Sequence, residues 1–279
     1  MTGVEGRRAL VTGAGSADGI GFACARILAQ QGARVAITST TKRIFDRLAE
    51  MPPAGGNSPP QRRSARTTAT RAAGHVALAF DLTAPGAADR LVAEASRALG
   101  GIDILVNNAG MVQIGHRQKA SRLHRIDDAE WARAIEINLN IAFRVTRASL
   151  PQMLRRRYGR IIHIASVTGP LVSNPRSSGY GAGKAAMTGM MRALALEVAA
   201  KGITVNAVGP GWVATSSSSK EEIVAGAHTP IGRPARAAEI GHVAAFLAAE
   251  EASYLTGQLI VVDGGNSIQE YKGPAKGYY

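Results

Sequence analysis

Short runs of apolar and β-branched residues alternate along the chain with longer segments whose apolar positions recur at helical spacing. Arg8 to Thr12, Arg34 to Thr38, His75 to Phe80, Ile102 to Val106, Arg160 to Ala165, Thr204 to Val208 and Gln258 to Val262 read as seven strands. Helices are predicted at Ile20 to Gln31, Ile44 to Glu50, Ala87 to Leu99, Asp128 to Arg156, Gly181 to Ala200 and Ala237 to Ala249. Strands bounded by turns and separated by helices call for a parallel sheet covered on both faces. The expectation is an α/β fold: a single Rossmann-type doubly wound domain, residues 1–279, with a seven-stranded parallel sheet flanked by helices.

Two stretches break this rhythm. Pro52 to Gly74 holds four prolines, three glycines and four arginines with no acidic residue. It reads as a mobile basic insertion that contributes little to the core. Gln113 to Ile126 holds His116, Arg117, Lys119, Arg122, His124 and Arg125 just after the fourth strand, where loops leaving the carboxyl ends of an open α/β sheet line its ligand crevice. These cations either face solvent or meet an anionic substrate. The tail from Ile268 to Tyr279 has too little apolar content to fold alone, and its three tyrosines suggest docking across an interface.

Composition narrows the classes. Hydrophobic residues make up 46% and charged residues 19%, and no apolar run approaches the roughly 18 residues of a membrane span. A soluble chain with no membrane partner is expected. Met1 to Leu10 lacks the apolar core and cleavage site of a signal peptide, and the single cysteine, Cys24, cannot form an internal disulfide. Both favour the reducing cytoplasm. The 33 basic and 20 acidic residues leave a charge of +13, which attracts polyanions. The basic residues are scattered, however, without aromatic-interleaved motifs or zinc-finger spacing, so neither nucleic acid nor metal is expected.

Strand one runs into Gly13, Gly15, Ser16, Asp18, Gly19, Ile20 and Gly21, then a helix. That is the setting a glycine-rich dinucleotide loop requires: the backbone approaches a pyrophosphate while the helix N-terminus offers unpaired N–H groups. A tight strand-to-helix turn would look similar. Asp18 is unwelcome beside phosphates, so it is expected to turn outward or cap the helix. Strand two ends in Ser39, Thr40, Thr41, Lys42 and Arg43, with no carboxylate to accept from ribose hydroxyls and repel a 2′-phosphate. Hydroxyls and cations there favour NADP(H) over NAD(H), unless the segment is merely a polar helix start.

Farther along, strand five ends in Ser166, and Tyr180 and Lys184 stand four apart, on one face of a helix. An ammonium beneath a phenol favours phenolate and is expected to lower the tyrosine pKa from near 10. Such a tyrosine exchanges a proton with a developing alkoxide, while a serine hydroxyl steadies the charge. Together with Asn107-Asn108-Ala109-Gly110, Asn138, Asp81-Leu82, Pro210-Gly211, Val213, Thr215 and Asp263-Gly264-Gly265, these residues resemble the short-chain dehydrogenase/reductase family, in particular 3-oxoacyl-acyl-carrier-protein reductase-like members.

The resemblance spans almost the whole chain, with two departures. Two extra residues stand between Gly13 and Gly19, and fourteen positions rather than the common thirteen separate Ser166 from Tyr180. It implies a catalytic tetrad of Asn138, Ser166, Tyr180 and Lys184, with Asn138 holding a water that links the lysine to solvent. It also implies cofactor contacts at Asp81 and Leu82, along the Asn108, Ala109 and Gly110 backbone, and at Pro210, Gly211, Val213 and Thr215 around the nicotinamide. Asn107 and Asn108 also fit a purely structural role in their turn.

Substrate choice depends on loops with few transferable motifs. The lid segment, Ser216 to Arg233, is short, and Trp212 is a candidate apolar wall. The reading is an NADP-dependent oxidoreductase reducing a small-molecule ketone or a 3-oxoacyl thioester. Its rivals are a secondary-alcohol, sugar or polyol dehydrogenase and a non-catalytic nucleotide-binding regulator. Apolar positions Ile135, Leu139, Phe143, Leu194 and Leu196 on the two long helices resemble those that pair subunits in the family. A homotetramer, or a homodimer, is expected.

Overall fold

In chain order the elements are β1 (Arg8–Thr12), α1 (Ile20–Gln30), β2 (Arg34–Ser39), α2 (Arg43–Ala49), β3 (Ala69–Ala72), β4 (His75–Ala79), α3 (Ala87–Leu99) and β5 (Ile104–Asn107). Then follow α4 (Asp128–Ile135), α5 (Ile141–Arg156), β6 (Gly159–Ile164), α6 (Ser178–Val198), β7 (Ile203–Pro210) and β8 (Val213–Ala214). The last are α7 (Lys220–Ala227), β9 (Ala235–Arg236), α8 (Ala237–Ala248) and β10 (Leu259–Val262). This computed structural model describes residues 3–54, 69–110, 121–270 and 272–273.

The main sheet has the order β10-β7-β6-β5-β1-β2-β4-β3, and β8 pairs with β9 apart from it. Seven of its strands are the predicted ones, all parallel. The eighth corrects the sequence reading. β3 lies inside the stretch read as a mobile basic insertion and runs antiparallel to β4, with Ala72 opposite His75. Ala73 and Gly74 turn with positive φ between the two strands, so a local hairpin forms where no apolar alternation announced a strand. Residues 55–68 of that stretch, residues 113–120 of the basic loop, and residues 271 and 274–279 of the tail, with its three tyrosines, fall outside the described residues.

Both faces of the strands are apolar because both are covered. Val11, Ile37, Ile162 and Ile164 point into a core with Phe22, Leu28, Ile44, Ile240 and Leu247 from α1, α2 and α8. Their neighbours Leu10, Ala36 and Ile161 point the other way, toward Leu91, Val145, Met153, Met187 and Met191 from α3, α5 and α6. That two-sided burial is what forces near-continuous apolar runs in a parallel sheet. β1 is flanked by β2 on one side and β5 on the other, so the chain reverses its winding there. The crevice outside the carboxyl ends of such a reversal is the usual ligand position of this architecture.

The predicted helix Asp128 to Arg156 is not uniform. Between α4 and α5 the residues Glu136–Asn140 form a wider turn in which the Ile141 N–H reaches the Glu136 carbonyl, five residues back. The Asn138 side chain donates to the Ala134 carbonyl at 3.0 Å, competing for an acceptor of the ordinary ladder and opening it.

At the amino-terminal ends of the strands, away from the crevice, sit ion pairs. Arg8 grips both oxygens of buried Asp103, and Arg7 and Arg160 share Glu250.

Candidate active site

A cleft of about 1370 Å³ opens along the carboxyl ends of β1, β2, β4, β5, β6 and β7. That exceeds the ~300–1,000 Å³ of a drug-sized site and leaves room for a dinucleotide beside a substrate.

At one end Gly13 turns with φ +71°, and a Cβ there would come within 2.8 Å of the Ala109 backbone. The close approach is stitched by Asn108, whose Nδ2 donates to the Thr12 and Gly13 carbonyls, while the Asn108 and Ala109 N–H groups donate to Thr12 Oγ1. The structural role weighed for Asn108 is thus visible. α1 starts at Gly19 with no side-chain cap and no acidic residue in its first turn, so its leading N–H groups are open to an anion. Asp18 is exposed and does not cap. It accepts from Ser16 and Ser216 instead, at 2.7 and 2.9 Å.

Beyond β2, Ser39, Thr40, Thr41 and Arg43 line the cleft. Lys42, also predicted, does not: it occupies the exposed position before α2. Ser39 Oγ donates to the Thr41 carbonyl, holding its own turn. Thr41 Oγ1, by contrast, is buried without a hydrogen-bond partner, and Arg43, two residues on, lines the same cleft. An orphaned hydroxyl and a guanidinium fit a phosphate. Asp81 and Leu82 are in the wall, with Asp81 fastening its turn by accepting from the Thr83 N–H and hydroxyl. Gly15, Gly110, Pro210, Gly211, Val213 and Thr215 line the cleft as well. The open helix start, the glycine approach and the orphaned Thr41 hydroxyl together fit a dinucleotide phosphate backbone.

Ser166, Tyr180 and Lys184 line the same cleft. Ser166 Oγ accepts the Thr168 N–H at 3.0 Å, leaving its own proton to give. Lys184 is buried, its Nζ donating to the Ile164 carbonyl at 2.7 Å and lying 5.8 Å from the Tyr180 ring centre. Burial pushes the Lys184 ammonium down to about 8. The expected lowering of the Tyr180 pKa is not found. Removal from water pushes the phenol above its ordinary value, the Ser166 hydrogen bond pulls it down, and the Glu222 carboxylate pushes it up again. Asn138 lies behind the wall, fully buried, and a Cβ at Gly183 would stand 2.8 Å from its own Cβ, which is how closely α6 packs on the widened turn.

Sequence reasoning missed Glu222. It sits on α7, within the segment read only as a short lid, and closes a capping box with Ser219. The Ser-x-x-Glu spacing was a usable helix-start signal. Glu130, Trp131, Arg133, Arg176 and His228 also line the cleft. Arg176 holds a left-handed backbone at φ +67°. Among the described residues no three His, Cys, Asp or Glu gather as a metal site, and no helix is long and apolar enough to cross a membrane.

Comparison with known proteins points to the same fold and to one family. The model of a family described as enoyl-(acyl carrier protein) reductase matches residues 13–267. Escherichia coli 3-oxoacyl-acyl-carrier-protein reductase FabG is 37% identical over 265 residues, covering 94% of this chain and 97% of its own. Oxidoreductase UcpA of Salmonella typhimurium is 36% identical over 282 residues, covering 97% and 98%. The solved structure of a mutant short-chain dehydrogenase/reductase from Serratia marcescens superposes with a TM-score of 0.77 at 28% identity, covering 95% of this chain and 99% of that one. Fold, cleft and kinship therefore agree that this chain belongs to the short-chain dehydrogenase/reductase family, as an enzyme resembling 3-oxoacyl-acyl-carrier-protein reductases that acts on C=O or CH–OH groups with a nicotinamide dinucleotide.

Proposed function

We propose that the protein is an NADP-dependent ketoreductase, with a 3-oxoacyl thioester or a related ketone as its substrate. The observation that carries this reading is one continuous cleft lined both by Thr41 and Arg43 after β2 and by Ser166, Tyr180 and Lys184. Bound along it, NADPH supplies a hydride to the carbonyl carbon. Tyr180 donates its proton to the substrate oxygen, and the Ser166 hydroxyl holds that oxygen as charge grows. Lys184, charged below about pH 8, eases departure of the phenolic proton. Asn138, tethered to Ala134, holds the water that links Lys184 to solvent.

The thioester reading draws on the likeness to FabG and on the cations at Arg133 and Arg176 in the cleft wall. Glu130, Glu221 and Glu222 in the same wall favour a second reading, a polar secondary alcohol or sugar oxidised by the same residues. NADPH oxidation measured over 3-oxoacyl thioesters, diketones, cyclic ketones and sugars separates the two. Thioester turnover well above the rest is expected, and turnover of sugars or alcohols alone overturns the first reading. Ser39→Asp places a carboxylate against the 2′-phosphate, so the preference for NADPH over NADH, as a ratio of kcat/KM, falls at least about tenfold. An unchanged ratio refutes the NADP assignment.

We further propose a single-domain subunit assembled as a homotetramer in the cytoplasm. Phe143 and Leu196 are exposed on α5 and α6, whereas Leu139 and Leu194 pack on the subunit's own core. Buried, unpaired Cys24 suits a reducing compartment.

A further inference from the structure

Asp18 belongs to the lengthened part of the glycine loop, and it is the hub of a contact that no local pattern announces. Its Oδ1 accepts from Ser16 Oγ at 2.7 Å and from Ser216 Oγ at 2.9 Å, and the two hydroxyls lie 3.0 Å apart. Ser216 is 198 residues from Asp18. It belongs to the segment after β8, in which Thr215 and Ser218 are tied to one another and the Ser218 hydroxyl donates to the Val213 carbonyl. Ser16 and Ser216 both line the cleft, the first from the glycine loop and the second from the opposite wall. The clasp therefore joins the two walls beside the uncapped start of α1.

A serine hydroxyl has one proton to give, and an ionised carboxylate only accepts. With both protons directed at Asp18, Ser16 and Ser216 turn lone pairs toward the rest of the cleft, where an incoming phosphate needs donors. Asp18 adds a like charge at the same place. Desolvation acts to raise its pKa, yet the bonds from Ser16 and Ser216 leave it below the ordinary carboxylate value, so it is charged at neutral pH.

We propose that Asp18 is an internal competitor for the cofactor's pyrophosphate: it holds the segment 215–218 against the glycine loop through Ser16 and Ser216 until the dinucleotide takes over those two hydroxyls. The inference rests on the dinucleotide reading of the cleft. It gives the lengthened loop a consequence, weaker equilibrium binding of the cofactor, because the contacts of Asp18 must be given up before the dinucleotide is bound.

The test compares the wild type with Asp18→Asn, which keeps an acceptor but removes the charge, and Asp18→Ala, which removes both. NADPH affinity is titrated by fluorescence at fixed ionic strength. Amide hydrogen exchange over 215–219 is followed separately in protein without cofactor. Both variants are expected to bind NADPH more tightly, Asp18→Ala by about tenfold, and Asp18→Ala to exchange faster over 215–219 without cofactor. Affinity that is unchanged or weakened in both variants, or exchange that does not rise, overturns the proposal. A wild type that binds neither NADPH nor NADH defeats the dinucleotide reading and the proposal with it. Binding without a gain in the variants defeats the proposal alone.

Discussion

The Tyr180 phenol sits under opposed influences: removal from water and the Glu222 carboxylate hold its proton on, and Ser166 loosens it. A tyrosine kept protonated at neutral pH suits the direction in which it donates to a carbonyl oxygen. Tyr180→Phe is expected to reduce ketone turnover by about a hundredfold or more while NADPH binding, followed by fluorescence, stays within twofold or so. Retained turnover would remove Tyr180 from the chemistry. In the proposed mechanism Lys184 sets the pH response. With its ammonium pushed down to about 8, kcat/KM for reduction should be flat through neutrality and fall as pH rises through 8. A profile flat to pH 9.5 or so would deny the lysine its role. Tyr180, Lys184 and Ser166 are legible in sequence as candidates because their spacing and their place after a strand are local features. Glu222 and the Asp18–Ser216 bond are not, since each depends on where a distant segment comes to rest.

Among the elements, those whose signal is periodic burial are the ones the sequence shows most plainly. α1 and α8 are examples. They pack against each other through Gly241, where a Cβ would stand 2.7 Å from Ile27 Cδ1 and 3.2 Å from the Ala23 and Cys24 backbone. Ile27 can move, but the α1 backbone cannot without shifting the glycine loop that starts the helix. Gly241→Ala is expected to destabilise the protein by about 1–3 kcal/mol, read as a lower denaturation midpoint, and to weaken NADPH binding. A midpoint equal to that of the wild type would show that the helices part without cost. Two other elements escaped the pattern. β3 is a short hairpin arm of small and polar residues, held by backbone pairing to β4. The widened turn at Asn138 comes from one side chain taking a backbone acceptor, which hydrophobic periodicity does not register.

Across the molecule, the two ends of the sheet divide the work. Arg8, Asp103, Arg160 and Glu250 pin the amino-terminal edge, leaving the carboxyl ends to the cleft. Between them lie two buried imidazoles. His163, at Asn107 on the neighbouring strand, is pushed down to about 4, first by burial and then by the Lys184 charge. His75 is pushed down by burial against the opposing pull of the Pro52 carbonyl, and its Nδ1 accepts the Val35 N–H. A histidine whose folded pKa lies below its unfolded value of 6.5 contributes stability in full above pH 6.5. That contribution is lost as pH falls toward 4. For His163 the loss is about 3 kcal/mol, seen as a falling urea midpoint between those limits. His163→Asn should flatten that slope, and an equally steep slope in the variant would assign it to other groups. The sequence by itself determined the doubly wound order and the elements that carry the glycine loop, Ser166, Tyr180 and Lys184 to the cleft, because burial periodicity and short-range spacing are written locally. Only the tertiary structure decided the pKa directions, the withdrawal of Lys42 from the cleft, the approach of Glu222 and the clasp on Asp18. Each of these is fixed by desolvation or by contact between segments far apart in the chain.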